Sequence, residues 1–200
     1  MEQKLELPVP TSINKLYINE YQYQRNSYGK AERVPTGRRI LSKEGRQVKA
    51  QIQGRARVQS QGQDWDYDWT KENFVYQDTI VYFARRGSDD NNIYKLLNDS
   101  LEGITYDNDS RVLVRTQRIV YDPKNPRIEV LITPVDFIGI FENKDVYDDF
   151  EARCEFGGEN GCAKFRNGKC SILKDSINGT VREEIGSIHN PYCTQFKERK

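Results

Sequence analysis

Between Arg85 and Val112 the chain reads RRGSDDNNIYKLLNDSLEGITYDNDSRV. Two acidic clusters, Asp89 with Asp90 and Asp107 with Asp109, flank a lysine, Lys95. Carboxylate oxygens bind magnesium, and a nearby cation offsets the charge that develops on a phosphate under attack. The set therefore has the composition of a divalent-metal phosphodiesterase site. The residues between the clusters must position it. Ile93, Leu96, Leu97, Ser100, Leu101 and Ile104 recur at helical spacing, which predicts one short helix with an apolar face. Asn92, Lys95, Asp99 and Glu102 fall on the opposite side, and Gly103 stands where a C-terminal cap belongs. A helix of about three turns is short enough for acids from both ends to approach one point. The same residues also describe an ordinary surface helix between polar turns, with Asp89 or Asn92 as its cap. Spacing alone leaves both readings open.

The surrounding pattern predicts an α+β domain, a small mixed β-sheet with flanking helices. Gln3–Leu7 reads as a first strand and is followed by a polar, tyrosine-rich loop. Arg39–Leu41 reads as a short strand, after which Ser42 caps a helix running to about Gln53. Thr79–Arg85 is apolar enough for a buried strand. Val112–Arg118 and Arg127–Thr133 read as a hairpin around Asp122-Pro123-Lys124-Asn125-Pro126. This order is expected to place both acid clusters at one end of the sheet, where open α/β sheets position chemistry. Within Gln59–Glu72, Trp65, Tyr67 and Trp69 alternate with Asp64, Asp66 and Asp68. That alternation suits an edge strand with one aromatic face, and equally a partner or dimer surface.

The acidic run resembles the active-site motif of the RusA family of Holliday-junction resolvases. The matching residues are Asp89, Asn92, Lys95, Asp99, Leu101, Asn108, Asp109 and Val112. Pro8, Pro10, Ser12 and Asn14 resemble the family's segment after its first strand, and Arg38–Lys43 its next strand and helix start. The resemblance covers residues 1 to about 135, with an apparent insertion around Gln59–Glu72. It implies a magnesium-dependent endodeoxyribonuclease that cuts four-way DNA by paired symmetric nicks and works as a homodimer. The catalytic set it implies is Asp89, Asn91, Lys95 and Asp109, with Asp89, Asn91 and Asp109 as magnesium ligands. One position departs from the family pattern: Asn91 stands where the family has its second catalytic aspartate. An amide oxygen still ligates a hard cation but contributes no charge. The competing reading is a non-catalytic protein that binds branched DNA through a degenerate site.

Charge is nearly balanced, with 31 Lys+Arg against 30 Asp+Glu, so composition alone does not mark a nucleic-acid binder. Its distribution is more informative. Residues 1–57 hold 12 Lys+Arg against 5 Asp+Glu, and Tyr21, Tyr23 and Tyr28 are interleaved with that run. Such a segment suits contact with phosphates, sugars and exposed bases, and most of it also reads as a plain solvated surface. Asn14, Lys15, Arg38, Arg39 and Lys43 are the expected DNA contacts. No apolar run approaches a membrane span and no charged-then-apolar leader opens the chain, so a cytoplasmic protein without membrane contact is expected.

The last third carries a second signal. The chain's 4 cysteines, Cys154, Cys162, Cys170 and Cys193, all fall there. Cytosolic thiols stay reduced, and a four-thiolate metal site satisfies the count. Zinc and an iron–sulfur cluster are both candidates, with free or disulfide-bonded cysteines as the remaining alternative. A helix from about Asn143 would deliver Cys154, and Ser171 would cap another reaching Glu184. Gly157, Gly158, Gly161 and Gly168 permit tight turns around the ligands. Lys164, Arg166, Lys169 and Lys174 would let the region extend a DNA surface, and His189 is an alternative ligand or a plain surface histidine. The expected organisation is a nuclease domain over 1–136 and a small metal-stabilised module over 137–200.

Overall fold

The computed structural model describes residues 1–10, 16–88, 91–157 and 161–199, with Asn91 and Asn92 described in backbone only. The chain forms two units, Met1–Val135 and Asp136–Lys200.

In the first unit β1 (Gln3–Leu7), β4 (Val75–Phe83), β5 (Val112–Tyr121) and β6 (Arg127–Pro134) form a mixed sheet in the order β1-β6-β4-β5. β4 alternates strictly between buried and half-buried residues. Val75, Gln77, Thr79, Val81 and Phe83 point inward, as the period of two requires for a strand with one face on a core. Two helices cover that face, α1 (Lys43–Ser60) and α2 (Asn91–Leu101). Ile52 and Ala56 of α1 meet Ile93, Leu97 and Leu101 of α2 over Leu5, Leu7, Val75, Val81, Ile128, Val130 and Ile132. The apolar stripe read from the sequence is the buried face of α2, and Gly103 after it has φ +75°, as a helix-ending glycine does.

β5 and β6 are not a hairpin. β4 lies between them, parallel to β5 and antiparallel to β6. α2 is the crossover that a parallel pair requires. The Asp122 N–H donates to the Phe83 carbonyl at 2.8 Å, so the chain leaving β5 crosses the end of β4 before β6 turns back.

The tyrosine-rich stretch is not a loop. β2 (Tyr17–Arg25) and β3 (Ala31–Leu41) pair as a two-stranded ribbon. The turn is closed by Asn26, whose side chain accepts from the N–H groups of Tyr28 and Lys30, with Gly29 at φ +75°. The ribbon is largely exposed, so its sequence carries no alternation to reveal it. Ser42 caps α1 as expected, accepting from the Gly45 N–H at 3.0 Å, but the helix continues to Ser60. Gln59–Glu72 contains no strand. It leaves α1 and forms a 3₁₀ turn at Asp68–Lys71. Its two tryptophans pack on the first unit's own core, and Trp65 Nε1 donates to the Thr105 carbonyl at 2.7 Å.

The second unit holds α3 (Lys144–Phe156) and α4 (Ser171–Ile177). Asn143 caps α3, accepting from the Val146 N–H at 3.0 Å, and Cys154 lies in its last turn. α4 is shorter than expected. Asn178 and Gly179, the latter at φ +81°, end it well before Glu184. Phe141, Phe150, Phe165, Ile172, Leu173 and Ile185 form the core together with the cysteines. Among the described residues no helix is long and apolar enough to cross a membrane.

Candidate active site

The inner face of β4 presents two polar side chains, Gln77 and Thr79, to α2. Gln77 Nε2 donates to Asn98 Oδ1 at 2.9 Å, and Gln77 Oε1 accepts from the Tyr106 hydroxyl at 3.3 Å. The Tyr94 hydroxyl bonds Thr79 Oγ1 at 2.7 Å and Thr116 Oγ1 at 2.5 Å. Buried polar atoms are costly when unpaired, so these contacts penalise any rotation of α2 about its axis. With that rotation fixed, Lys95 and Asp99 face outward.

Lys95 is exposed, and its Nζ lies 3.8 Å from Asp99 Oδ2. A pair this open to water contributes little stability, so the ammonium can move to a phosphate at small cost. Asp99 also accepts from the Tyr17 hydroxyl at 3.0 Å. Burial, and then the bond to Asp99 and its charge, push the Tyr17 phenol up to about 12.

Asp109 opens a 3₁₀ turn, Asp109–Arg111, that Asn108 caps by accepting from the Ser110 N–H at 2.8 Å. It is half-buried, and among the described residues nothing pairs with its carboxylate. The Tyr106 phenol is held well above its ordinary value, first by burial and then by the charges of Asp109, Glu102 and Asp99. Asp107 turns elsewhere. Its N–H donates to Thr70 Oγ1 at 3.0 Å, and its carboxylate accepts from the Tyr67 hydroxyl at 3.5 Å.

The strand register fixes which end of the sheet carries the downstream acids. Val75 pairs with Val112 and Phe83 with Tyr121, so Asp107 and Asp109 lie at the Val75 end of the β4–β5 pair. The loop that leaves β4 lies at the Phe83 end, and α2 runs between the two. The parallel register forces this, because a crossover helix must return the chain to the end where the first strand began. Asn91 is the first residue of α2. Asp89 and Asp90, like Asn14 and Lys15, lie outside the described residues. Among the described residues no group of three or more His, Cys, Asp or Glu side chains stands ready to hold a metal ion.

Arg38 and Arg39 at the end of β3, and Lys43 at the start of α1, are all exposed. Arg39 reaches back to the Tyr17 carbonyl at 3.0 Å. Along the same ribbon the Arg33 guanidinium stacks 4.0 Å from the Tyr21 ring centroid, and Tyr23 and Tyr28 project into solvent. Cations and exposed aromatic rings on one arm suit a nucleic-acid backbone and its bases.

The family model of the endodeoxyribonuclease RusA matches residues 21–133, more than half of the chain. The chain belongs to the RusA family. The match runs from the ribbon through α1, α2 and the acidic turn into β6. A comparison with curated proteins found no match. Membership makes the chain a nuclease that hydrolyses phosphodiester bonds, of the Holliday-junction-resolvase type, and implies binding to branched DNA. RusA-type nucleases are in general dependent on a divalent metal.

The contacts that Tyr17, Tyr94, Gln77 and Thr79 make around α2 were not legible in the sequence. Each acts through a partner distant in sequence, and no local spacing marks a tyrosine that bonds an aspartate 82 residues away.

Proposed function

We propose that this RusA-family chain is a magnesium-dependent endonuclease that resolves four-way DNA junctions by paired symmetric nicks, acting as a cytoplasmic homodimer. The observation that carries the reading is the junction of arm and helix at Tyr17 and Asp99, which sets the basic ribbon against the face bearing Lys95. Arg38, Arg39 and Lys43, with Asn14 and Lys15, hold the DNA backbone. Lys95 positions the scissile phosphate and offsets the charge that develops on it.

Asp89, Asn91 and Asp109 are the proposed magnesium ligands. Their hard oxygens fit that ion, and Asp109 is a half-buried carboxylate with no competing cation among the described residues. When bound, magnesium supplies a water acidic enough to attack at neutral pH and a counter-charge for the phosphorane-like transition state. No histidine lies near the motif to act as a base in its place. Asn91 and Asp109 belong to opposite ends of α2, whose axis is about 15 Å long. Oxygens on one magnesium stand only about 3 Å apart. Two chains related by a two-fold axis offer each other the missing half, which favours a dimer whose sites are shared. Because Asn91 contributes no charge, the second reading is a junction-binding protein that no longer cuts.

The test is cleavage of a labelled synthetic four-way junction in magnesium, with linear duplex and Asp109→Asn as controls. Paired nicks in the junction alone, absent in Asp109→Asn, are expected. Tight junction binding with no nicks in magnesium or manganese would replace the nuclease with the binder.

A further inference from the structure

We propose that the unit Asp136–Lys200 is organised around a zinc ion bound by Cys154, Cys162, Cys170 and Cys193. Two of the four cysteines open the same small structure. Cys162-Ala163-Lys164-Phe165 and Cys193-Thr194-Gln195-Phe196 are both four-residue turns, in which the phenylalanine N–H returns to the cysteine carbonyl, at 3.0 Å and 3.4 Å. Both phenylalanines pack into the core behind their turns.

The two turns are also tied to each other. Ala163 N–H donates to the Lys197 carbonyl at 2.7 Å, and Arg199 N–H to the Gly161 carbonyl at 3.0 Å. The remaining two cysteines come from helix ends. Cys154 lies in the last turn of α3, and Cys170 is the residue that caps α4. The Cys162 N–H donates to the Cys154 carbonyl at 2.8 Å. Gly161 makes that approach possible. It has φ +81°, and a Cβ there would stand 2.1 Å from the Glu155 carbonyl oxygen.

All four cysteines belong to one packed cluster, Cys154 and Cys162 buried within it and Cys170 and Cys193 packed against it. All four are free cysteines, so no cross-link accounts for their convergence. The sulfurs are not at ligating spacing, and bringing them to zinc–sulfur bonds of about 2.3 Å calls for side-chain rotation on a backbone already in place.

The unit's size argues the same way. Its regular structure among the described residues is two helices of 13 and 7 residues, over a core of a few aromatic and aliphatic side chains. A core that small needs a staple, and structural zinc supplies folding free energy outright. Four thiolates suit zinc or iron, and zinc binds such ligands more tightly than ferrous iron. His189 is exposed and takes no part. A closed four-sulfur site has no open position for water, so this metal is separate from the cleavage chemistry.

The experiment is metal analysis of the full chain purified under reducing conditions, followed by replacement of the metal with cobalt. About one zinc per chain, and the thiolate-to-metal charge-transfer and visible bands of tetrahedral cobalt, are expected. Cys162→Ser and Cys193→Ser are each expected to lose the bound metal. The wild-type cobalt spectrum stands alone if those variants fail to fold. Iron with acid-labile sulfide, two disulfides in place of free thiols, or four reactive thiols and no metal would each overturn the proposal. None of these readouts depends on whether the chain cuts DNA.

Discussion

The Tyr17 hydroxyl donates to Asp99 Oδ2 at 3.0 Å and so joins the first residue of β2 to the third turn of α2. Asp99 is shared, because the Lys95 ammonium stands 3.8 Å from the same oxygen. One carboxylate thus connects the basic ribbon to the helix that carries Lys95. Movement of the arm on DNA would be felt at Lys95 through this carboxylate.

Tyr17→Phe removes that bond and leaves the ring. Stability is expected to fall by about 1 kcal/mol, the net worth of one such hydrogen bond. The pH dependence gives a sharper signature. Tyr17 has a folded-state value pushed up to about 12 from the ordinary 10.0. Its contribution is therefore fully present below about pH 10 and disappears as pH rises toward 12. Urea unfolding followed between neutral pH and pH 11 should show an alkaline loss in the wild type that is shallower in Tyr17→Phe. Parallel curves would mean that Tyr17 does not hold the arm.

The helix at the site was legible because burial on one face writes itself into the sequence. Ile93, Leu96, Leu97 and Leu101 recur at helical spacing for that reason and are all buried. The ribbon was not legible, because strands exposed on both faces have no reason to alternate. Strand neighbours were hidden for another reason. Val112–Tyr121 and Arg127–Pro134 look like a hairpin locally, and only the tertiary register shows β4 inserted between them. Of the readings open for Trp65 and Trp69, the edge strand fails because alternating aromatic residues suit two anchors in a turn equally well. The parallel β4–β5 register also sent Asp109 to the far end of α2, which the motif read as a line of residues does not reveal.

Charge reversal of Arg38, Arg39 and Lys43 tests the ribbon base as a DNA surface. All three are exposed, and together they bracket the link between β3 and α1. Each cation that no longer neutralises a phosphate should lower the slope of log affinity against log salt by about 0.9. The triple glutamate variant is expected to bind a four-way junction far more weakly, with a slope reduced by about 2 to 3. An unchanged slope would place the DNA elsewhere on the chain.

Asn91→Asp restores a carboxylate where this chain has an amide. If the amide weakens a working site, the added charge should raise the cutting rate at least about tenfold, which is about 1.4 kcal/mol off the barrier. The gain should be largest at low magnesium, where a charged ligand most improves occupancy. No gain at any magnesium concentration would favour the junction-binding reading over the nuclease.

Mixing two defective chains decides whether the sites are shared. Asp89 precedes α2 and Asp109 follows it, so a two-fold dimer either completes each site within one chain or exchanges halves between chains. Asp89→Asn and Asp109→Asn are each expected to be inactive alone. If halves are exchanged, a dimer of the two variants contains one site with both residues intact and one with neither. The mixture should then nick a single strand of the junction without the paired cut. If each chain carries its own site, both sites in the mixed dimer are broken and no nicking returns. Single-strand and paired products separate on a denaturing gel with both strands labelled, and co-expression of differently tagged chains supplies the mixed dimer.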